Sequence, residues 1–141
     1  MAYGSNLNLD QMERLCKNAK IIGKTKLKDY QILFRGEQER AFLNIEQKED
    51  SEVPVLVWEI SQEDEKSLDE FEEYPVLYRK EYIELDVNGI KMKAMAYVMN
   101  GGYPLGKPSN RYYNTVLEGY KTAGFDINIL EKALKHSVKV K

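Results

Sequence analysis

The chain reads as an α+β domain in which short strands outnumber helices, and three local signals carry that reading. Asn88-Gly89 lies between two alternating apolar stretches, the strongest short-range mark of a β-hairpin. Ser61, with Asp64 three residues on and Leu68 and Phe71 beyond, marks a helix start, and Pro75 forbids continuation of that helix. The run Pro54-Val55-Leu56-Val57-Trp58 has the look of a strand buried on both faces.

Taken in order, Tyr3-Gly4-Ser5-Asn6-Leu7 suggests a short strand breaking into a tight loop, since Gly, Ser and Asn are the standard turn formers. Asn8 or Asp10 caps a helix through about Asn18, with Leu9, Met12 and Leu15 on its apolar face. Residues 19–27 and 30–35 read as two strands joined by a turn at Lys28-Asp29. A further strand covers 41–46, a charged break covers 48–52, and the buried strand covers 53–60. The acidic helix runs from Gln62 to about Tyr74. The hairpin strands span 78–87 and 91–99, and Gly101-Gly102-Tyr103-Pro104 opens a long loop. Ser109 caps a helix over 110–123 that Gly124 ends as a C′ glycine. A last helix over 127–136 carries Ile127, Leu130 and Leu134 at helical spacing, and 137–141 is expected to fray.

At 141 residues the chain suits a single domain spanning 1–141, long enough to bury a real core. Its 21 basic and 23 acidic residues nearly balance, which gives no electrostatic reason to expect nucleic acid or a membrane surface as partner. No stretch has the length of a membrane span or the form of a secretory signal. Cys16 is the only cysteine, in keeping with a cytoplasmic, reducing setting. With a single histidine, His136, far from it, a zinc site or a Cys–His nucleophile pair is improbable. The chemistry left to such a chain rests on carboxylates, tyrosines and backbone.

The Tyr3–Leu7 loop offers N–H groups, one hydroxyl and one amide, and consecutive N–H groups can form an anion-binding concavity. In the acidic helix most carboxylates belong to a solvated face. Glu72 differs, because it lies about 40° around the helix from the apolar anchor Leu68 and leans toward the core. A carboxylate there is costly unless it has a partner or a task; otherwise it snorkels or is capped. Glu73 points further round, toward solvent. Among ten tyrosines, Tyr112 stands out, placed in the first turn of a helix behind the Pro108-Ser109 loop. For any one tyrosine, a core role with a satisfied hydroxyl is the ordinary alternative.

Tyr3-Gly4-Ser5-Asn6-Leu7, Leu68-Asp69-Glu70-Phe71-Glu72 with Tyr74-Pro75, and Pro108-Ser109-x-x-Tyr112 occur in this order along the chain. Together they resemble the γ-glutamylcyclotransferase-like, or AIG2-like, family, in particular its short bacterial members. The resemblance implies a small mixed β-barrel with helices packed outside. It also implies a cavity where the loop meets the acidic helix. The activity implied is release of 5-oxoproline and a free amine from γ-glutamyl amides, without metal or cofactor. By the same resemblance Glu72 is the catalytic residue, and Tyr3, Gly4, Ser5, Asn6, Leu7 and Tyr112 bind substrate. The alternative is a γ-glutamyl-binding or partner-binding domain of the same fold. Two features depart from the family pattern. Only Met1 and Ala2 precede the loop where members have a longer apolar strand, and Glu73 stands where glycine is usual. The leaving group is expected to meet the 101–107 loop.

Overall fold

A computed structural model describes residues 1–138. A 3₁₀ turn (Ser5–Leu7) leads into α1 (Leu9–Leu15), capped by Asn8, whose side chain accepts from the Gln11 N–H. Two long strands follow, β1 (Lys20–Arg35) and β2 (Phe42–Glu59), then α2 (Gln62–Phe71), the hairpin β3 (Tyr78–Val87) and β4 (Ile90–Met99), α3 (Asn110–Ala123) and α4 (Ile127–Ser137). No helix is long and apolar enough to cross a membrane.

The two turn-like signals expected near 28–29 and 48–52 do not end strands. They face each other across one irregularity in the β1–β2 ladder, between Lys28↔Glu52 and Tyr30↔Gln47. Asp29 and Asp50 both adopt left-handed backbone, and the Asp29 carboxylate accepts from the Asp50 N–H at 3.1 Å. Asp tolerates that conformation and bonds nearby backbone, so the chain bulges and the strands run on. Two helices end earlier than expected, α1 at Leu15 rather than about Asn18 and α2 at Phe71 rather than about Tyr74, because Cys16 and Glu72 already leave the helix, while the signals that start elements or mark turns hold. Ser61 and Asp64 form a reciprocal capping box, Asn88-Gly89 turns the second hairpin, and Gly124 caps α3 in left-handed geometry. Ser137 is no part of a frayed end: it closes α4, buried, with its hydroxyl donating to Leu134 O. The rest of the expected fray, 139–141, lies outside the described residues.

The α+β class holds, but the closed, mixed barrel does not. Both ladders are antiparallel and each sheet has two strands, β1–β2 and β3–β4. The hairpins share one apolar core, where Phe34, Leu43, Val55, Val87, Ala96, Val116 and Tyr120 meet. Between the hairpins, side chains take bonds that a neighbouring strand would supply in a barrel. The Met99 N–H donates to Asn44 Oδ1 at 2.8 Å, Tyr78 Oη donates to Leu43 O at 2.8 Å, and Tyr3 Oη donates to Tyr97 O at 2.6 Å. Those bonds satisfy buried strand edges without a ladder and leave a gap beside them. Met1-Ala2 crosses this seam. Ala2 pairs with Leu56 through bonds of 2.7 and 3.0 Å, so the loop that follows is anchored despite its short lead.

α3 holds the loop from the other side. A Cβ built on Gly119 would stand 2.7 Å from the carbonyl carbon and Cβ of Leu7, closer than real Cβ contacts come. Glycine at 119 is therefore what allows the helix to lie against the turn. Gly119→Ala is expected to destabilise the protein by about 1–3 kcal/mol, the usual range for overpacking. The check is a lowered thermal midpoint, accompanied by faster exchange of the Leu7 and Asn8 amides.

Candidate active site

A cavity of about 150 Å³ opens in the seam. Tyr3, Gly4, Ser5 and Asn6 line one part of it, Glu72 and Tyr112 another, and Phe42, Phe71, Glu73, Leu77, Tyr78 and Tyr97 complete most of the wall. Six of the seven residues singled out in the sequence thus meet around one space. Leu7 does not: it is fully buried beneath the turn, packed toward Gly119. The 101–107 loop does not line the cavity either. Gly36 and Pro104, and Phe34 and Gly106, pair through backbone bonds that fasten this loop to the end of β1. Away from the Tyr3–Asn6 loop, the wall is formed instead by the turn that follows α2.

The loop is rigid for identifiable reasons. Leu7 N–H donates to Gly4 O and Asn8 N–H to Ser5 O, which makes a single 3₁₀ turn. The N–H groups of Ser5 and Asn6 stand at its start, where a helical turn has no internal acceptors for them. Gln11, buried one turn into α1, donates to Ser5 Oγ at 2.9 Å and Asn6 Oδ1 at 3.1 Å. Those bonds leave the Ser5 hydroxyl proton and the Asn6 amide N–H groups free to point elsewhere. Gln11 escaped the sequence reading, and its only signal there was a polar residue on the inward side of a short helix. Gly4 packs close to the helix: a Cβ there would stand 3.3 Å from Tyr112 Oη, which would have to give by a few tenths of an ångström.

The four cavity tyrosines divide by what their protons do. Tyr3 and Tyr78 donate to main-chain carbonyls, and Tyr97 donates to Asp69 Oδ1 at 2.6 Å. Tyr112 instead accepts, from the Leu43 N–H at 3.1 Å, and its own proton remains uncommitted. Burial pushes the hydroxyls of Tyr3, Tyr78 and Tyr112 above the usual phenol range, so all three stay protonated at neutral pH. Tyr112 is therefore the donor of the set, and the others offer lone pairs.

Glu72 is the C-cap of α2. The residue is only half-buried, but its carboxyl group is the part withdrawn from water, and burial raises its pKa to about 7. The neighbouring Glu73 carboxylate is not the cause. Glu73 sits at the C′ position with φ 54°, inside a Schellman arrangement: Tyr74 N–H donates to Asp69 O and Glu73 N–H to Glu70 O. A glycine would enter that conformation without strain, which explains why that residue type suits the position. Next to this turn, Lys80 reaches Glu65 at 2.7 Å and Asp69 at 3.0 Å and lies 4.3 Å from the Tyr74 ring centre. Among the described residues, no group of His, Cys, Asp and Glu is placed to hold a metal ion.

A carboxyl whose pKa is raised by folding favours the native state below its unfolded value, near 4.5, and loses that advantage as pH climbs to about 7. Glu72→Gln should therefore match wild type in stability near pH 4. It should exceed wild type by on the order of 1–2 kcal/mol above pH 7, discounted for the cavity's contact with solvent. Denaturant titrations at pH 4, 5.5, 7 and 8 give the check; a difference that does not grow with pH contradicts the burial of this carboxyl.

The family model described as gamma-glutamyl cyclotransferase, AIG2-like, matches residues 1–119. Among solved structures, the uncharacterized protein loc79017 from Homo sapiens is similar at TM-score 0.80 and 25% identity, over 94% of this chain and 83% of that one. A structure named gamma-glutamyl cyclotransferase is similar at TM-score 0.81 and 24% identity, over the same shares, 94% and 83%. YkqA from Bacillus subtilis shares the fold at TM-score 0.80 and 15% identity; 99% of this chain matches 53% of that one. No curated protein sequence gives a match. The matched span takes in the loop, the acidic helix and the Tyr112 turn, and the chain belongs to the gamma-glutamyl cyclotransferase, AIG2-like family.

Proposed function

We propose that the protein is a cyclotransferase that converts γ-glutamyl amides into 5-oxoproline and a free amine. The observation that carries this reading is a carboxyl group with a pKa of about 7, facing the same cavity as the Tyr3–Asn6 loop and the Tyr112 hydroxyl. In the reaction the substrate's α-amine attacks its own γ-carbonyl. A new C–N bond closes the five-membered lactam, and the bond to the leaving nitrogen breaks. Nucleophile and electrophile share one molecule, so holding the γ-glutamyl group in a folded shape supplies much of the barrier reduction.

Glu72 removes a proton from the α-ammonium group and returns one to the departing nitrogen. A carboxyl tuned close to neutrality does both, because neither transfer is steeply uphill. The first N–H groups of the Ser5–Leu7 turn and the Asn6 amide hold negative charge, either the α-carboxylate or the oxyanion. Tyr112 supplies its uncommitted proton to the same polar half of the substrate. Tyr3 and Tyr78 keep their protons on backbone carbonyls and serve as rigid wall and acceptors.

Wild type is expected to release 5-oxoproline from at least one member of a panel of γ-glutamyl amides, with an acidic limb of kcat/KM near pH 7. Glu72→Gln should lose at least about a hundredfold in kcat, the lower range for a proton-transfer residue, while remaining folded. Tyr112→Phe should lose less, roughly tenfold, as one hydrogen bond is removed. No release from any amide by folded wild type contradicts the reading, and equal release by Glu72→Gln shows that another group moves the proton.

A further inference from the structure

The cavity wall beyond the loop has a charge pattern that the reaction itself does not require. Its carboxylates are Glu72 and Glu73, and among the described residues no lysine, arginine or histidine side chain lines it; the Met1 amino group at the wall is held on Met95 O at 2.9 Å, and burial lowers its pKa to about 6. The cation that reaches the acidic helix from β3, Lys80, is committed to Glu65, Asp69 and the Tyr74 ring. Glu73 itself makes no hydrogen bond or ion pair through its side chain among the described residues. It is exposed at the cavity wall, and the Schellman bonds of its neighbours fix its backbone at φ 54°. Around it the same turn exposes Phe71 (44%), Tyr74 (40%) and Val76 (76%), an apolar apron for a methylene chain.

A γ-glutamyl substrate brings one carboxylate of its own, which the loop N–H groups can meet. A second carboxylate, on the leaving group, finds no donor side chain of positive charge and approaches Glu73. A positive charge in that place finds an unpaired partner. We propose that Glu73 is a specificity-determining residue, selecting γ-glutamyl amides whose leaving amine carries a second, cationic amino group and no carboxylate. The inference rests on the cyclotransferase reading of the cavity. It concerns the part of the leaving amine beyond the nitrogen to which Glu72 returns a proton.

Three conjugates of nearly equal length test it: γ-glutamyl amides of 1,4-diaminobutane, of n-butylamine and of 4-aminobutanoate. Wild type should rank them in that order by kcat/KM, with steps of about two- to fivefold, the range of an exposed ion pair. The steps should shrink as salt is raised toward about 1 M, where the Debye length is only ~3 Å. Glu73→Gln should bring the diamine-to-butylamine ratio close to one, and Glu73→Lys should favour the 4-aminobutanoate conjugate. A ratio unchanged in Glu73→Gln, or a wild-type preference for the anionic conjugate, overturns the proposal. Calorimetric binding of the same three compounds to Glu72→Gln separates the two readings. The expected order of binding without any 5-oxoproline from wild type would fault the cyclotransferase reading alone. Equal binding of all three would fault the assignment of Glu73.

Discussion

The closeness of α3 to the Ser5–Leu7 turn is the constraint on which the rest of the site depends. Gly119 removes the one carbon that would push the helix away, and Tyr112, two turns earlier on the same helix, is thereby brought over Gly4 and the Leu43 peptide. The helix acts as a strut, because its position is fixed at both points and α-helices resist bending over two turns. Leu43 then has its N–H taken by Tyr112 and its carbonyl by Tyr78. Both backbone groups of one β2 residue are held by two tyrosines where a neighbouring strand could have paired with them. The cavity exists because those hydroxyls, and Asn44, satisfy the strand edges without filling the space between the hairpins.

Such a space determines what a carboxyl inside it can do. Glu72 follows the last residue of a helix, where the peptide dipoles present their negative end, and it is withdrawn from water. Withdrawal from water disfavours the anion, and the resulting pKa near neutrality makes the group useful for moving protons in both directions. The Lys80 cation stabilises the same stretch of helix through Glu65 and Asp69. Asp69 in turn fixes the Tyr97 hydroxyl, and the Tyr97 carbonyl receives Tyr3. A chain of direct bonds therefore runs from β3 through the acidic helix to the loop on the far side of the cavity.

Much of this was legible in the sequence wherever a single residue's local chemistry decides the outcome. Ser61 with Asp64, Asn88-Gly89, Gly124 and the helical azimuth of Glu72 all act within one turn of chain, and each does in the structure what its type prescribes. The Lys28-Asp29 and 48–52 signals were real departures from regular strand, but whether such a departure ends a strand or bulges it depends on the partner opposite. That partner lies about twenty residues away. The open seam, the exclusion of Leu7 from the cavity and the distant seat of the 101–107 loop were illegible for the same reason. They depend on which elements press together, and no local pattern encodes the Asn44, Tyr3 and Tyr78 bonds that hold the seam open. Gln11 belongs to this class too, since its worth lies in two side chains met only after the turn has formed.

The end of α2 breaks several local rules at once. Glu70, Glu72 and Glu73 crowd a helix C-terminus that has no basic residue in its last turn, and Glu73 occupies left-handed backbone that costs roughly 1–2 kcal/mol without glycine. Natural sequences keep local preference and global fold in agreement over most of their length, and depart from it where function sets the residue. Lys80, reaching across from β3, offsets part of the charge but pairs with Glu65 and Asp69 rather than with the two glutamates at the cavity. The compensation thus stops one turn short of Glu72 and Glu73. A helix end built only for stability would place the cation where the anions are densest; here the two carboxylates at the cavity are left unpaired, facing the space where a substrate would lie.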